Sequence, residues 1–155
     1  MSAIELTSVT MRQALALLVI LAACATARND RRDVRAAVDA VVHGLEQLDA
    51  DATVAPFADD AIVFFPDSAG EPARVEGKAA IRGVFARFFE QVRKSGTTSM
   101  TLHPADVRVD IAGDAAVVTF HLRGPILSRR TFVLRRIGGT WRIVHLHASN
   151  VRVAS

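Results

Sequence analysis

The sequence predicts an α+β domain in which helices pack on one face of an antiparallel sheet. Apolar residues recur at helical spacing in three segments between Asn29 and Gly96, with one short apolar run among them. Beyond Gly96 the apolar residues alternate with a period of two, in segments separated by turns that contain glycine. Helices followed by a run of strands are typical of α+β architecture, whereas α/β domains alternate the two.

The first helix is predicted to begin near Asn29, which can cap it. Its apolar stripe consists of Val34, Val38, Val41, Val42, Leu45 and Leu48. A short second helix, broken near Pro56, precedes the apolar run AIVFFP at residues 61–66, which is predicted to be a buried strand. A third helix is predicted to begin near Gly77, and Gly96 is expected to cap its C-terminal end.

Two β-hairpins are predicted in the remaining sequence. The segment ADVRVDIAGDAAVVTFHLRG turns around Gly113, and RRTFVLRRIGGTWRIVHLHASNVRV turns at Gly138-Gly139. The sequence contains neither an internal repeat nor a low-complexity stretch. Residues 29–155 are therefore predicted to form a single domain.

Composition excludes several classes of protein. The chain has 155 residues, 50% of them apolar, and a formal net charge of +3 that comes mainly from scattered arginines. It has no tyrosine and no lysine-rich run, so nucleic acid is not an expected partner. The single cysteine, Cys24, excludes an internal disulfide and a thiolate metal site. His145 and His147 offer only two further ligands, so neither a metal nor a cofactor is predicted.

The N-terminal segment is predicted to be an export signal covering residues 1–23, with Met11 as an alternative start. Arg12 precedes an apolar run that is too short to span a membrane and that ends in small residues. The stretch LAAC resembles the lipobox of bacterial lipoproteins, which implies acylation of Cys24, a tether at residues 24–28 and a lipid anchor in the cell envelope. Alternatively, ordinary cleavage after ATA would remove Cys24 and release a soluble secreted or periplasmic protein.

Four segments in order carry a family resemblance: an amphipathic first helix, FADDAIVFFP, VEGKAAIRGVFARFF and RRTFVLRRIGGTWRIVHLHAS. Together they resemble the SnoaL-like branch of the nuclear transport factor two superfamily, which shares the ketosteroid isomerase fold. The ending is also similar to the association domain of calcium/calmodulin-dependent kinase. The resemblance implies a cone-shaped, curved antiparallel sheet wrapped around N-terminal helices, an apolar pocket at its wide end, and an outer sheet face that pairs with a second copy as a homodimer.

The last predicted strand carries the first candidates for this pocket. In an unbulged strand, one face carries Trp141, Ile143, His145, His147 and Ser149. The side chains on this face change from apolar at its start to polar at its end. An imidazole can donate, accept or transfer a proton near neutral pH. Trp141 is predicted to be a wall of the pocket, and either a ligand contact or a local hydrogen bond explains each of the polar side chains.

Further candidates come from the neighbouring segments. His121 has the parity of Val117 and Thr119, so it is expected to project into the same cavity as His147. Arg130 adjoins the loop RGPILSRR, where arginines are either an anion-receiving rim or solvated surface. Phe64 is predicted to be a second wall.

Three functions remain open from the sequence. The first is an exported, lipid-anchored domain that binds a small, partly apolar molecule. The second is a small lyase, isomerase or hydrolase that uses His147, His121 or Asp60 as general base. Ketosteroid isomerases stabilise an oxyanion with a tyrosine, and because this chain has none, that mechanism cannot be carried over. The third is an assembly module that dimerises through its sheet.

Overall fold

A computed structural model describes residues 29–66, 74–123 and 126–151 of the chain. The chain divides into two units, Met1–Asp33 and Val34–Ser155, and the fold below is that of the second. The predicted export signal, tether and lipidated Cys24 lie outside the described residues. Among the residues that are described, no helix combines the length and the apolar character needed to cross a membrane.

The first two helices of the described residues are joined by a tight turn. Helix α1 covers residues 29–46, and its predicted apolar stripe is buried at Val34, Val38 and Val41. Helix α2 covers Ala50–Val54, and its N-cap Asp49 accepts a 3.0 Å hydrogen bond from the backbone N–H of Ala52. The N-cap Asp49 therefore starts α2 directly after the turn that follows α1.

Helix α3 covers Lys78–Lys94 and buries one face, at Ile81, Val84, Phe85 and Phe89. After its last turn the backbone N–H of Gly96 donates to the carbonyl of Arg93 over 2.9 Å, with a φ of 86° at Gly96. This left-handed conformation closes the helix, as the sequence predicts for Gly96.

In the part of the chain that the structure describes, six strands form one open sheet. They are β1 (Phe57–Phe64), β2 (Arg74–Glu76), β3 (Pro104–Ala112), β4 (Ala115–Leu122), β5 (Leu127–Ile137) and β6 (Thr140–Val151). Both predicted hairpins are present, with positive φ at Gly113 in the first turn and at Gly138 and Gly139 in the second. Strand β1 starts at Phe57, earlier than the apolar run of the sequence indicates.

The sheet has the order β2-β1-β6-β5-β4-β3. Strands β1 and β6 are parallel, and all other neighbouring pairs are antiparallel. The expectation of a wholly antiparallel sheet is thus wrong at one pair. A parallel neighbour needs a long crossover connection, and the chain between β1 and β6, which includes β2, α3, the first hairpin and β5, provides it.

One face of the sheet, here called the inner face, is buried with the helices in a single core. Its most buried side chains include Phe132, Leu134 and Ile143, each at most 2% exposed. The opposite face, here called the outer face, has no such cover within the described residues. The sheet thus separates a closed core from an open surface, and the position of each candidate residue depends on which face it occupies.

Candidate functional site

Strand β6 contains a β-bulge that changes which residues share a face. The pairing with β5 runs Leu134 to Ile143 and then Val133 to His145, so Val144 has no partner of its own. An extra residue in one strand reverses the alternation of side chains beyond it. Accordingly, Trp141 and Ile143 are buried before the bulge, whereas Leu146 and Ala148 are buried after it.

The bulge places His145, His147 and Ser149 on the outer face, away from Trp141. The prediction that these residues share the face of Trp141 is therefore wrong, because it assumed an unbulged strand. His145 is half-buried and His147 is exposed. Their role as ligand contacts stays a prediction, and any such ligand would lie on the open surface of the sheet.

Phe64 lies beside both imidazoles. The parallel register pairs Phe64 with His147, and the ring centroids of Phe64 are 5.6 Å from His145 and 6.1 Å from His147. Burial lowers the pKa of the His145 imidazole, and the neighbouring His147 lowers it further. The neutral imidazole is thus favoured in this aromatic cluster on the outer face.

His121 also lies on the outer face, in a separate polar group. The antiparallel register pairs it with Arg129, which in turn pairs with Ser149. Its Nδ1 is 3.3 Å from Oδ2 of Asp106, and the same oxygen accepts a 2.9 Å hydrogen bond from Arg123. Hydrogen bonds from Arg123, and then from His121, lower the pKa of the Asp106 carboxyl. His121 is therefore held at the surface by a hydrogen bond to Asp106.

Two of the predicted pocket residues do lie on the inner face. Trp141 is buried, with the guanidinium carbon of Arg136 4.6 Å from its ring centroid. Arg130 pairs with Phe120 on β4 and with Ala148 on β6, both of which are buried inner-face residues. Trp141 and Arg130 stand at opposite ends of the hairpin, so they line different parts of the inner face.

The inner face becomes progressively exposed towards one end of β5. Leu134 and Phe132 are buried, whereas Arg130 and Ser128, further along the same face, are half-buried. Ser128 donates a 2.7 Å hydrogen bond to Oδ1 of Asn150 on β6. We call this region, made by Leu122, Ser128, Arg130, Ala148 and Asn150, the open end of the inner face.

Asp60 lies elsewhere, in a shallow cleft of about 410 Å³ at the start of β1. The cleft is lined by Phe57, Ala58, Asp59, Asp60, Lys78, Ile137 and Arg142. Lys78 and Arg142 both donate to the carbonyl of Ala55, over 3.1 and 3.2 Å. The pairing of β1 with β6 is irregular between Phe57 and Ile62, which leaves Asp60 exposed in the cleft.

The structure therefore does not bring the three candidate bases together. His147 and His121 lie in different groups of the outer face, and Asp60 lies in the cleft at the start of β1. Within the part of the chain that the structure describes, no three His, Cys, Asp or Glu side chains are grouped to hold a metal ion. The three candidate bases therefore do not form one common site.

Sequence reasoning missed Ser128 and Asn150. The signal for Ser128 is its spacing, because it stands two residues before Arg130 and therefore shares its face. Asn150 could be found only through the bulge, since counting from Trp141 in an unbulged strand assigns it to the opposite face.

Comparison with solved structures shows the fold class. The chain is similar to an NTF2-like protein with a cystatin-like fold from Novosphingobium aromaticivorans, at 20% identity and a TM-score of 0.72, covering 89% of this chain and 92% of that one. It is also similar to a ketosteroid isomerase-like protein from Erwinia carotovora atroseptica, at 22% identity and a TM-score of 0.63, with coverages of 80% and 98%. At this level of identity the likeness shows the fold alone.

A third similar structure is a protein from Thiobacillus denitrificans described as a calcium/calmodulin-dependent protein kinase type II association domain. The identity is 24%, the TM-score 0.59, and the coverages are 76% and 94%. Residues 34–153 match the model of the SnoaL-like domain, and the chain belongs to that family. No curated protein matches the chain.

Proposed function

We propose that the domain binds a small, partly apolar molecule at the open end of the inner face. The observation that supports this is the graded exposure along β5, where buried Phe132 is followed on the same face by half-buried Arg130 and Ser128. An apolar wall with a few polar groups is the usual composition of small-molecule sites. SnoaL-like domains have a fold in which such a pocket is common, which also supports the proposal.

The proposal is limited to binding. The candidate bases His147 and His121 lie on the outer face, and Asp60 lies in the cleft at the start of β1. A general base must come within hydrogen-bond reach of the proton that it removes, and none of these three is on the face that carries Arg130.

The test is to fill the open end with a larger side chain. Ala148 is 6% exposed beside Arg130, so Ala148→Leu occupies the proposed space. Ser149→Leu is the matched control, because it adds a leucine at the next position but on the outer face. A thermal-shift screen of octanol, octanamide, octanoate and phenylacetate is expected to stabilise the wild-type protein and Ser149→Leu, but not Ala148→Leu. The absence of any binder, or equal loss in both variants, would contradict the proposal.

We propose as a second function that the outer face pairs with another copy of the chain, which makes the protein a homodimer. One row across this face consists of Ile62, His145, Val133 and Val117, with Glu76 and Asp110 at its two ends. The next row consists of Phe64, His147, Thr131 and Thr119, with Arg74 and Arg108 at its ends. At one edge Arg74 and Glu76 already pair with each other, so the apolar centre of the two rows is the part that a two-fold copy would cover.

The area of the outer face is large enough for a dimer interface. With six strands and 11 residues in β5, the sheet is about 24 Å wide and about 36 Å long at the usual strand spacing and rise. A face of roughly 850 Å² compares well with the roughly 800 Å² that each partner contributes to a standard interface. The similarity to the protein described as a kinase association domain also supports assembly.

Val117→Asp tests the dimer. Val117 is 38% exposed in the apolar row of the outer face, on β4, so an aspartate there would be buried without a partner in the interface. Sedimentation velocity is expected to show a dimer for the wild-type protein and a monomer for the variant. Phe88→Asp is the control, because Phe88 is a similarly exposed apolar residue, 44%, on helix α3 rather than on the sheet. A monomeric wild type or a dimeric Val117→Asp would refute the assignment.

We propose further that the protein is exported and anchored to the membrane by lipid on Cys24. The support is the sequence alone, in which the only cysteine follows LAA at the end of the apolar run. Mass spectrometry of the mature protein from a bacterial host is expected to find an acylated Cys24 at the N-terminus. An unmodified chain that starts at Arg28 would instead support a soluble secreted or periplasmic protein.

A further inference from the structure

We infer that the molecule bound at the open end of the inner face is an anion, whose carboxylate or similar group is held by Arg130. This inference rests on the proposed binding function and adds the chemical class of the ligand. The surroundings of Arg130 are apolar on both sides, with Phe120 on β4 and Ala148 on β6. Two residues along β5 lies Phe132, whose ring stacks on that of Phe120 at 5.7 Å and 14°.

Arg130 has no carboxylate partner within the described residues. The hydrogen bond of its guanidinium is a 2.9 Å contact from one Nη to the carbonyl of Arg129. Other arginines do pair with acids, for example Arg82 with Asp51 and Arg123 with Asp106. The half-buried arginine therefore lacks the counter-charge that these more exposed arginines have.

A buried guanidinium without a carboxylate among the described residues has an energetic cost. Removing a cation from water is costly unless an anion or several hydrogen bonds replace the water. In agreement, burial lowers the pKa of the Arg130 guanidinium. A ligand anion would supply the opposite charge, and the planar guanidinium matches a carboxylate with two parallel N–H donors.

A second donor stands beside Arg130. Asn150 accepts the hydrogen bond of Ser128 through Oδ1, so its side-chain amide nitrogen keeps two N–H groups for a ligand. Ser128 lies two residues from Arg130 on the same face of β5, which places Asn150 about 7 Å from Arg130 along the strand direction. Cation and amide donors on one apolar face favour an acid with an apolar body over a neutral or cationic molecule.

The experiment compares octanoate with octanamide, which share an apolar chain and differ in charge, by isothermal titration with the full chain. Octanoate is expected to bind the wild-type protein at least tenfold more tightly than octanamide. Arg130→Gln is expected to weaken the binding of octanoate at least tenfold and to change the affinity for octanamide by no more than about twofold. Arg129→Gln is the matched control, because Arg129 is the adjacent residue but lies exposed on the outer face.

The outcomes separate this inference from the binding proposal. If octanoate and octanamide bind the wild-type protein equally, the anion assignment fails and the binding site stands. If neither octanoate nor octanamide binds the wild-type protein, both the anion assignment and the proposed binding site fail. Should Arg130→Gln not fold, Arg130→Lys retains the charge without the two parallel N–H donors. Its affinity for octanoate is expected to lie between the affinities of the wild-type protein for octanoate and for octanamide. Equal octanoate affinity in wild type, Arg130→Gln and Arg129→Gln overturns the inference.

Discussion

Val144 is the residue at which strand β6 reverses its faces. Because it has no partner on β5, the side chains before it and after it follow opposite parities. Trp141 can therefore pack in the core while His145 and His147 meet the ring of Phe64 on the outer face. A single unpaired residue thus decides whether the imidazoles belong to an inner pocket or to an exposed surface.

His145 is expected to make the stability of the fold depend on pH. Its pKa in the folded chain lies below the unfolded value, because burial and His147 both disfavour the imidazolium. The unfolded state then binds the proton more tightly, so stability is full above the unfolded pKa of about 6.5 and falls as the pH drops below it.

Urea unfolding at pH 7.5 and pH 5.5 measures this effect. The midpoint is expected to be lower at pH 5.5 for the wild-type protein, and the difference between the two pH values is expected to shrink in His145→Gln. His43→Gln is the control, since His43 is exposed on α1. An unchanged pH difference in His145→Gln would show that the imidazole does not contribute.

Helices α1 and α2 meet at Gly44, where the two backbones come unusually close. A Cβ atom at Gly44 would lie 2.4 Å from the backbone nitrogen of Thr53 and 2.7 Å from its Cα. Thr53 is fully buried, and its hydroxyl donates a 2.6 Å hydrogen bond to the carbonyl of Asp49. Glycine at this position therefore sets the distance between the two elements.

Gly44→Ala is expected to destabilise the protein by about 1–3 kcal/mol, because the backbone of α2 must move to admit the methyl group. Gly83→Ala on α3 is the contrasting variant. The nearest atom to its new Cβ is a side-chain nitrogen of Arg87 at 3.6 Å, so the better helix propensity of alanine should stabilise the protein by up to about 1 kcal/mol. Chemical denaturation of both variants checks this, and a neutral Gly44→Ala would contradict the packing argument.

At the scale of the whole molecule, one core joins the helices to the inner face of the sheet. Leu134 stands at its centre on β5, fully buried between Ala116 on β4 and Ile143 on β6. The outer face has no cover among the described residues. The stability of the fold should therefore depend mainly on the inner face.

Leu134→Ala is expected to reduce the free energy of unfolding by about 2–5 kcal/mol, because it leaves a cavity that the surrounding strands cannot fill. Ile137→Ala, three residues along the same strand but 47% exposed, is expected to change it by less than about 1 kcal/mol. Equilibrium unfolding in urea distinguishes the two. Similar losses of unfolding free energy in both variants would contradict the assignment of Leu134 to the core.

The sequence by itself determined the family resemblance and the elements other than β2, which lies in a segment rich in glycine and proline that is typical of a loop. Helical spacing of valines in α1, the glycine turns of the two hairpins and the alternation along β3 and β4 are local signals, and each has its predicted element in the structure. Such signals suffice because a side chain's position relative to its own backbone depends only on φ and ψ.

Only the tertiary structure decided which candidate residues lie together. The parallel pairing of β1 with β6 brings Phe64 to His147, and the unpaired Val144 separates His147 from Trp141. It also decided that Arg130 faces the core without a carboxylate partner among the described residues. These facts depend on the register between strands that are distant in sequence. The alternating pattern within one strand does not show where a bulge will shift that register.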